Sequence, residues 1–166
     1  MTSDVFALDS EVDGNHLRQV LGKFATGVAV VATSTARGPV GMTVNSFCSV
    51  SLSPPVVLFC VRHQSQLHEA FSSATTFSVN VLAEGQEALS QQFASPGFDR
   101  FGSVRWRPGV TRSPVLGGAH AVLECLTNGL FTAGDHDIVL GRVVAAHPLA
   151  PGQPLLFHSG GYRGLA

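Results

Sequence analysis

Gly41-Met42-Thr43-Val44-Asn45-Ser46-Phe47-Cys48-Ser49-Val50-Ser51-Leu52-Ser53-Pro54-Pro55 is the stretch on which the reading of this chain turns. Apolar residues alternate with small hydroxyl and amide residues, a period of two that predicts an extended strand ending at the Pro-Pro turn. A strand with one buried face usually carries charged residues on the other. Here the second face offers Thr43, Asn45, Ser46, Ser49 and Ser51, all short and neutral. Such a surface lets a planar ligand with a polar edge, or a phosphate, approach the backbone closely. It also suits an ordinary strand with a hydroxyl-rich outer face.

Before this stretch, Val28-Ala29-Val30-Val31-Ala32-Thr33 is a β-branched run that reads as a strand. The turn Ala36-Arg37-Gly38-Pro39 makes the two strands a hairpin. Upstream, Asp13 or Asn15 is placed to cap a helix carrying Leu17, Val20, Leu21 and Phe24. Residues 1–14 carry little pattern and read as a flexible arm, leaving 15–166 as one domain.

After the Pro-Pro turn, Val56-Val57-Leu58-Phe59-Cys60-Val61 is apolar on both faces and reads as a central strand. Ser65 is placed to cap a helix reaching Phe71, and that helix start would suit an anion. Phe77 to Leu82 alternates as a strand, and a helix is expected over Glu84 to Phe93. Ala94 to Gly118 reads as a long loop rich in Gly, Pro and Arg, of a length that usually has a task. Strands are expected near Ala119 to Ala133, Ile138 to His147 and Pro154 to His158, with Gly134-Asp135-His136-Asp137 as the turn between the first two. Hairpins dominate and strands do not alternate with helices. The expectation is therefore a mainly β, antiparallel barrel rather than a doubly wound parallel sheet.

The 166 residues suffice for one domain with a real core, and 45% hydrophobic against 13% charged residues argues against disorder. So little charge leaves apolar surface to be covered, which predicts burial between subunits. A net charge of −1 without a basic block makes nucleic acid a poor partner. No stretch is long and apolar enough to span a membrane, and Met1 to Ser10 lacks a basic region followed by an apolar one, so a soluble cytoplasmic protein is expected. Cys48, Cys60 and Cys125 lie far apart in apolar surroundings, as reduced buried thiols do. The seven histidines show no ligand-like spacing with acidic or Cys partners, and no metal site is expected. Dinucleotide fingerprint, phosphate loop and nucleophile elbow are all missing.

Phe24-Ala25-Thr26-Gly27-Val28, Gly41 to Phe47, Ser51 to Pro55, Phe77 to Leu82, Gly134 to Ile138 and Gly161-Tyr162 follow one another in an order that resembles the short-chain flavin reductases. These are the reductase components of two-component flavin-dependent monooxygenases, and the resemblance runs from about Leu17 to Leu165. It implies a Greek-key-like split β-barrel of the FMN-binding type, working as a homodimer. It implies hydride transfer from NADH to FMN or FAD, with reduced flavin passing to a partner monooxygenase by diffusion or transient contact. The flavin would lie along Met42, Thr43, Val44, Asn45 and Ser46, with Ser49 as a further contact, its phosphate near Ser65 and its ring near Cys60 and Val61. Phe93, Arg100 and Tyr162 fall where flavin and dimer contacts lie in the family. His136 matches the family's Gly-Asp-His turn on the nicotinamide side and is the candidate catalytic residue, as a hydrogen-bond donor to the dinucleotide. Val44 departs from the family's usual small residue, which matters only if its side chain meets the ring. No basic cluster stands ready for a 2′-phosphate, which favours NADH over NADPH. Two rivals share the barrel: a non-catalytic flavin-binding module, and an oxidase of the pyridoxine-phosphate type. The latter would want an Arg and Lys cluster, and Lys23 is the sole lysine.

Overall fold

The computed structural model describes residues 12–97, 100–149 and 151–165. The arm expected over residues 1–14 therefore falls largely outside the described residues. Gly14 already belongs to helix α1 (Gly14–Leu21), whose first turn is capped by the Asp13 carboxylate accepting from the His16 N–H at 2.9 Å.

Most of the strand residues belong to one seven-stranded antiparallel sheet. Its members are β2 (Ala29–Thr35), β3 (Gly38–Val44), β4 (Cys48–Leu52), β5 (Pro55–Arg62), β6 (Thr76–Val81), β9 (Ala121–Ala133) and β10 (His136–Pro148). Their spatial order is β3-β2-β6-β9-β10-β5-β4. The two edge strands, β3 and β4, are consecutive in the chain and joined only by Asn45-Ser46-Phe47. A connection that short between opposite edges requires the sheet to curl until its edges meet. They meet without pairing, and the barrel is split there.

This corrects the reading of Gly41 to Leu52 as a single strand. The alternation of residue types continues across the segment in the sequence, but the hydrogen-bond partner changes from β2 to β5 and a register shift interrupts β4 between Ser49 and Ser51. Asn45 and Ser46 thus lie on a corner and not within a strand. The corner is held by the Ser46 hydroxyl, which accepts the Cys60 N–H at 3.0 Å.

Inside the curled sheet, Val31, Phe59, Val61, Phe71, Phe77, Val79 and Val139 form the barrel core. Phe59 meets Phe71 and Phe77 edge to face, with centroids 5.5 and 5.1 Å apart. Each buried ring of this size contributes about 1.5–3 kcal/mol relative to exposure. A second layer lies outside the barrel, where Val30, Ala32 and Leu82 pack against Phe93, Phe101, Leu116 and Leu155. β2 is buried on both faces because it separates the two layers. β5 pairs on both sides, as a central strand should, but Leu58 and Cys60 on its outer face are only half-buried.

Helices α2 (His68–Ser72) and α3 (Glu87–Ala94) cover the barrel's ends and side. α3 starts later than the expected Glu84, because the Gln86 side chain accepts the Ala83 N–H and makes Ala83 to Gln86 a turn. A small three-stranded sheet places β11 (Leu156–His158) between β1 (Thr26–Gly27) and β12 (Gly161–Arg163). The expected long loop carries a hairpin of β7 (Trp106–Pro108) and β8 (Pro114–Leu116). It is pinned by the buried Asn80, whose side chain accepts from the Leu116 N–H and donates to the Pro114 carbonyl.

Candidate active site at the split edge

The expected site residues separate into three groups according to the direction in which each strand points them. Met42 and Val44 face the barrel interior. Val44 is 7% exposed within the core, and Met42 packs against that core from a half-buried position. The bulk of Val44 therefore fills core and is not presented to a ligand. Val61 points the same way and is wholly buried, so only its backbone is left to serve the site.

Gly41 and Thr43 point to the opposite face, toward α3. The Thr43 hydroxyl donates to the Ser90 carbonyl at 2.6 Å, and the Tyr162 hydroxyl donates to the Ser90 Oγ at 2.9 Å. The Phe93 ring lies over Gly41, where an added Cβ would come within 3.0 Å of Cε1. Arg100 donates to the carbonyls of Gly41 at 2.8 Å and Phe93 at 3.1 Å. Thr43, Phe93, Arg100 and Tyr162 thus clamp β3 to α3 through the Thr43 and Tyr162 hydroxyls and one terminal nitrogen of Arg100, while the buried Arg100 Nε has no hydrogen-bond partner among the described residues. Phe93 is fully buried and reaches no ligand surface. These residues position the edge strand from behind.

The third group faces outward. Asn45 and Ser49 are exposed beside half-buried Ser46 and Cys60. β5 pairs with β10 so that Arg62 lies opposite His136 and Val61 opposite Asp137. The His63 N–H also donates to the Asp135 carbonyl at 3.0 Å, which ties the turn after β5 to the β9–β10 hairpin. Ser46, Cys60, Ser65 and His136 are thereby drawn along one rim, although ninety residues separate the first from the last.

Two local expectations change here. Ser65 does not cap α2, which is only five residues long and begins at His68 with no side-chain cap. Its hydroxyl accepts the Leu67 N–H at 3.2 Å, and its carbonyl accepts the His68 N–H, forming a turn ahead of the helix. The connection between β9 and β10 is likewise shorter than expected. It consists of Gly134-Asp135, with Gly134 at φ 63, and His136 is the first residue of β10.

His136 Nδ1 lies 2.7 Å from Asp135 Oδ1. A carboxylate only accepts, so Nδ1 carries the hydrogen and Nε2 is left facing outward. In the neutral ring that Nε2 is an acceptor, so the expected donor role requires the protonated ring. The His136 bond, aided by the Arg62 side chain at 3.8 Å, lowers the Asp135 pKa.

Next to Asn45 opens a cleft of about 1130 Å³ between α1 and the small sheet. Arg18, Lys23, Phe24, Thr26 and Phe157 are among the residues that line it. Sequence reading passed over Arg18 and Lys23, because a helix bearing two cations and exposed apolar residues looks like any solvated helix. Thr26 did fall within the quoted Phe24 to Val28 motif, without a role. Its Oγ1 is buried and has no hydrogen-bond partner among the described residues.

A split antiparallel barrel with polar groups at its open edge and a cleft alongside defines a class of flavin-handling protein. The flavin reductase like domain matches residues 21–166, and the chain belongs to that family. It is 37% identical over 160 residues to the reductase subunit HsaB of a flavin-dependent monooxygenase from Mycobacterium tuberculosis, covering 95% of this chain and 86% of that protein. A probable flavin reductase of Rhizobium meliloti is 45% identical over 146 residues, covering 87% of this chain, which spans 45% of that protein's length. Among solved structures, the Streptomyces globisporus C-1027 NADH:FAD oxidoreductase SgcE6 in complex with NAD and FAD fragments superposes with a TM-score of 0.88. It is 41% identical, with 95% of this chain and 98% of that one covered.

The residues present fit a flavin. An edge strand offers unpaired backbone groups, Thr26 Oγ1 lacks a partner at the cleft wall, and Arg18 and Lys23 supply positive charge for phosphate. Ligand pockets commonly measure about 300–1,000 Å³. This cleft is large enough for a flavin ring with a second ring over it.

Proposed function

We propose that this chain is an NADH-dependent oxidoreductase that reduces FMN or FAD and releases the reduced flavin to a partner monooxygenase. The observation that carries this reading is the unpaired split edge opening beside the Arg18, Lys23 and Thr26 cleft. When bound, flavin would supply the hydride-accepting chemistry, and the protein need supply only position and polarity. Asn45 and the free backbone groups near the corner hold the pyrimidine edge of the flavin and favour the negative charge that reduction brings there. Arg18 and Lys23 hold phosphate. His136, at the rim, orients the nicotinamide through Nε2. No strong acid or base is required, in keeping with a cleft wall that carries no carboxylate among its described residues.

The same reading makes the active unit a homodimer. Leu17, Val20, Leu21 and Phe24 around α1 are 44–77% exposed, and Leu52 on the edge strand β4 is 93% exposed. A second copy covering these faces would also narrow the open cleft.

The test is direct. Protein is mixed with NADH and either FMN or FAD in air, and loss of nicotinamide absorbance is followed. Flavin-dependent NADH consumption well above the rate with free flavin is expected. Binding of flavin with no NADH consumption would reduce the chain to a flavin-binding module.

A further inference from the structure

The end of the barrel beside the β9–β10 turn carries a cluster that the reductase reading does not use. His63 Nε2 lies 3.0 Å from Asp137 Oδ1, and His68 Nε2 lies 2.7 Å from Asp137 Oδ2. The Thr132 hydroxyl donates to Asp137 Oδ1 at 2.8 Å. The Asp137 side chain is 6% exposed, against 38% for His63 and 29% for His68, so two rings shield one interior carboxylate and keep an edge in water. The three ligand atoms all lie within 4.8 Å of one another.

Position separates this cluster from His136. Neighbouring residues of a strand point to opposite faces. Asp137 shares the inward face of β10 with Val139 and lies opposite Val61, whereas His136 turns to the rim. An inward carboxylate at a barrel mouth needs partners, and Thr132 with His63 meets one oxygen while His68 meets the other. Two imidazole nitrogens are thereby aimed at one carboxylate. The rings stand edge to face, at 87° with centroids 5.3 Å apart, so their Nε2 atoms converge while their bodies diverge.

We propose that His63, His68 and Asp137 form a three-ligand site for a divalent first-row transition metal of the zinc class, with water completing the coordination. Metal–nitrogen and metal–oxygen bonds of about 2.0–2.2 Å place neighbouring ligand atoms roughly 3.0–3.5 Å apart. The observed 2.7 and 3.0 Å separations, each to a different Asp137 oxygen, need to open by a few tenths of an ångström, while ligand atoms that now lie within 4.8 Å of one another draw together around the ion. Two imidazoles with one carboxylate select zinc-like ions over magnesium or calcium, which prefer oxygen alone. Thr132 holds the carboxylate in orientation, the outer-shell role such hydroxyls play. The metal would staple the turn after β5 and the start of α2 to β10, joining residues 69 and 74 positions apart.

Chelator-treated, flavin-free protein is titrated with Zn²⁺ by calorimetry and with Co²⁺ by visible absorption. Wild type, His63→Gln, His68→Gln and the exposed-histidine control His147→Gln are compared. Wild type and control should bind one ion per chain in the micromolar range or tighter, with Co²⁺ bands typical of mixed nitrogen and oxygen ligands. Each ligand variant should weaken binding at least about a hundredfold. A hundredfold excess of Zn²⁺ over Kd should raise the Tm of wild type by roughly 5–10 °C and leave both variants unmoved. Both replaced rings are partly exposed, and circular dichroism with flavin affinity confirms that the variants are folded. Stoichiometry well below one at micromolar metal, or equal affinity in wild type and ligand variants, overturns the site.

Discussion

His136 is the residue whose role is sharpest. Its Nδ1 is committed to Asp135 at 2.7 Å, which fixes the ring and leaves one nitrogen for a ligand. Loss of one positioning contact costs about ten- to a thousandfold in hydride-transfer rate. We expect His136→Ala to bind flavin as wild type does but to be reduced by NADH that much more slowly, as read by stopped-flow absorbance. Dithionite, which needs no nicotinamide site, should reduce both proteins alike. An unchanged NADH rate would return His136 to the role of a solvated hairpin residue. A second residue, Cys125, is read through its environment. Burial first, and then the neighbouring Glu124, push its thiol up to about 12 from an ordinary 9.0. The folded state thus favours the protonated thiol. The associated stability is present below about pH 9 and is lost progressively as pH rises toward 12. Alkylation at pH 8 should label exposed Cys48 and spare Cys125, which should react only in denaturant. Labelling of Cys125 in the native protein would contradict its position in the core.

At the scale of elements, the decisive feature is the corner between β3 and β4. Asn45 is exposed and borders the cleft, whereas Ser46 accepts the Cys60 N–H and joins the two sides of the split. The two positions should therefore separate binding from folding. Asn45→Leu should weaken flavin binding at least about tenfold with Tm unchanged, because only a ligand-facing group is altered. Ser46→Ala leaves the Cys60 N–H unpaired and should cost about 1–3 kcal/mol of stability as well as flavin affinity. Titration calorimetry and thermal unfolding of the two variants read both quantities. Equal effects on both would mean the corner is not divided in this way. What the sequence carried here was local. A continuous apolar run identified β5, alternation identified β6, and Gly134 marked a hairpin, because run length, period and turn chemistry act over a few residues. The break at Asn45-Ser46-Phe47 was hidden, since Met42, Val44, Cys48, Val50 and Leu52 keep one alternation on both sides of it. Only the change of partner strand reveals it. The His63, His68 and Asp137 cluster was hidden for a related reason: it depends on the β5–β10 register, which no spacing in the chain encodes.

For the molecule as a whole, the distribution of apolar surface is the remaining argument. Helix α1 has no buried residue, and Leu17, Val20 and Leu21 on it are 44%, 54% and 61% exposed. Leu52 at 93% and Phe131 at 57% add apolar surface elsewhere on the sheet. A short helix with no apolar face packed against its own chain is marginal in water, because most helical stability in proteins comes from such packing. Covering α1 would supply that packing and bring a second wall to the Arg18 and Lys23 cleft. Sedimentation equilibrium at micromolar concentration should give twice the 17.4 kDa chain mass. Leu17→Glu with Leu21→Glu should shift the protein toward monomer, lower its helical signal and weaken flavin binding together. A wild-type monomer that binds flavin at the same concentration would show that one chain completes the site, and the homodimer reading would fall while the reductase reading stood.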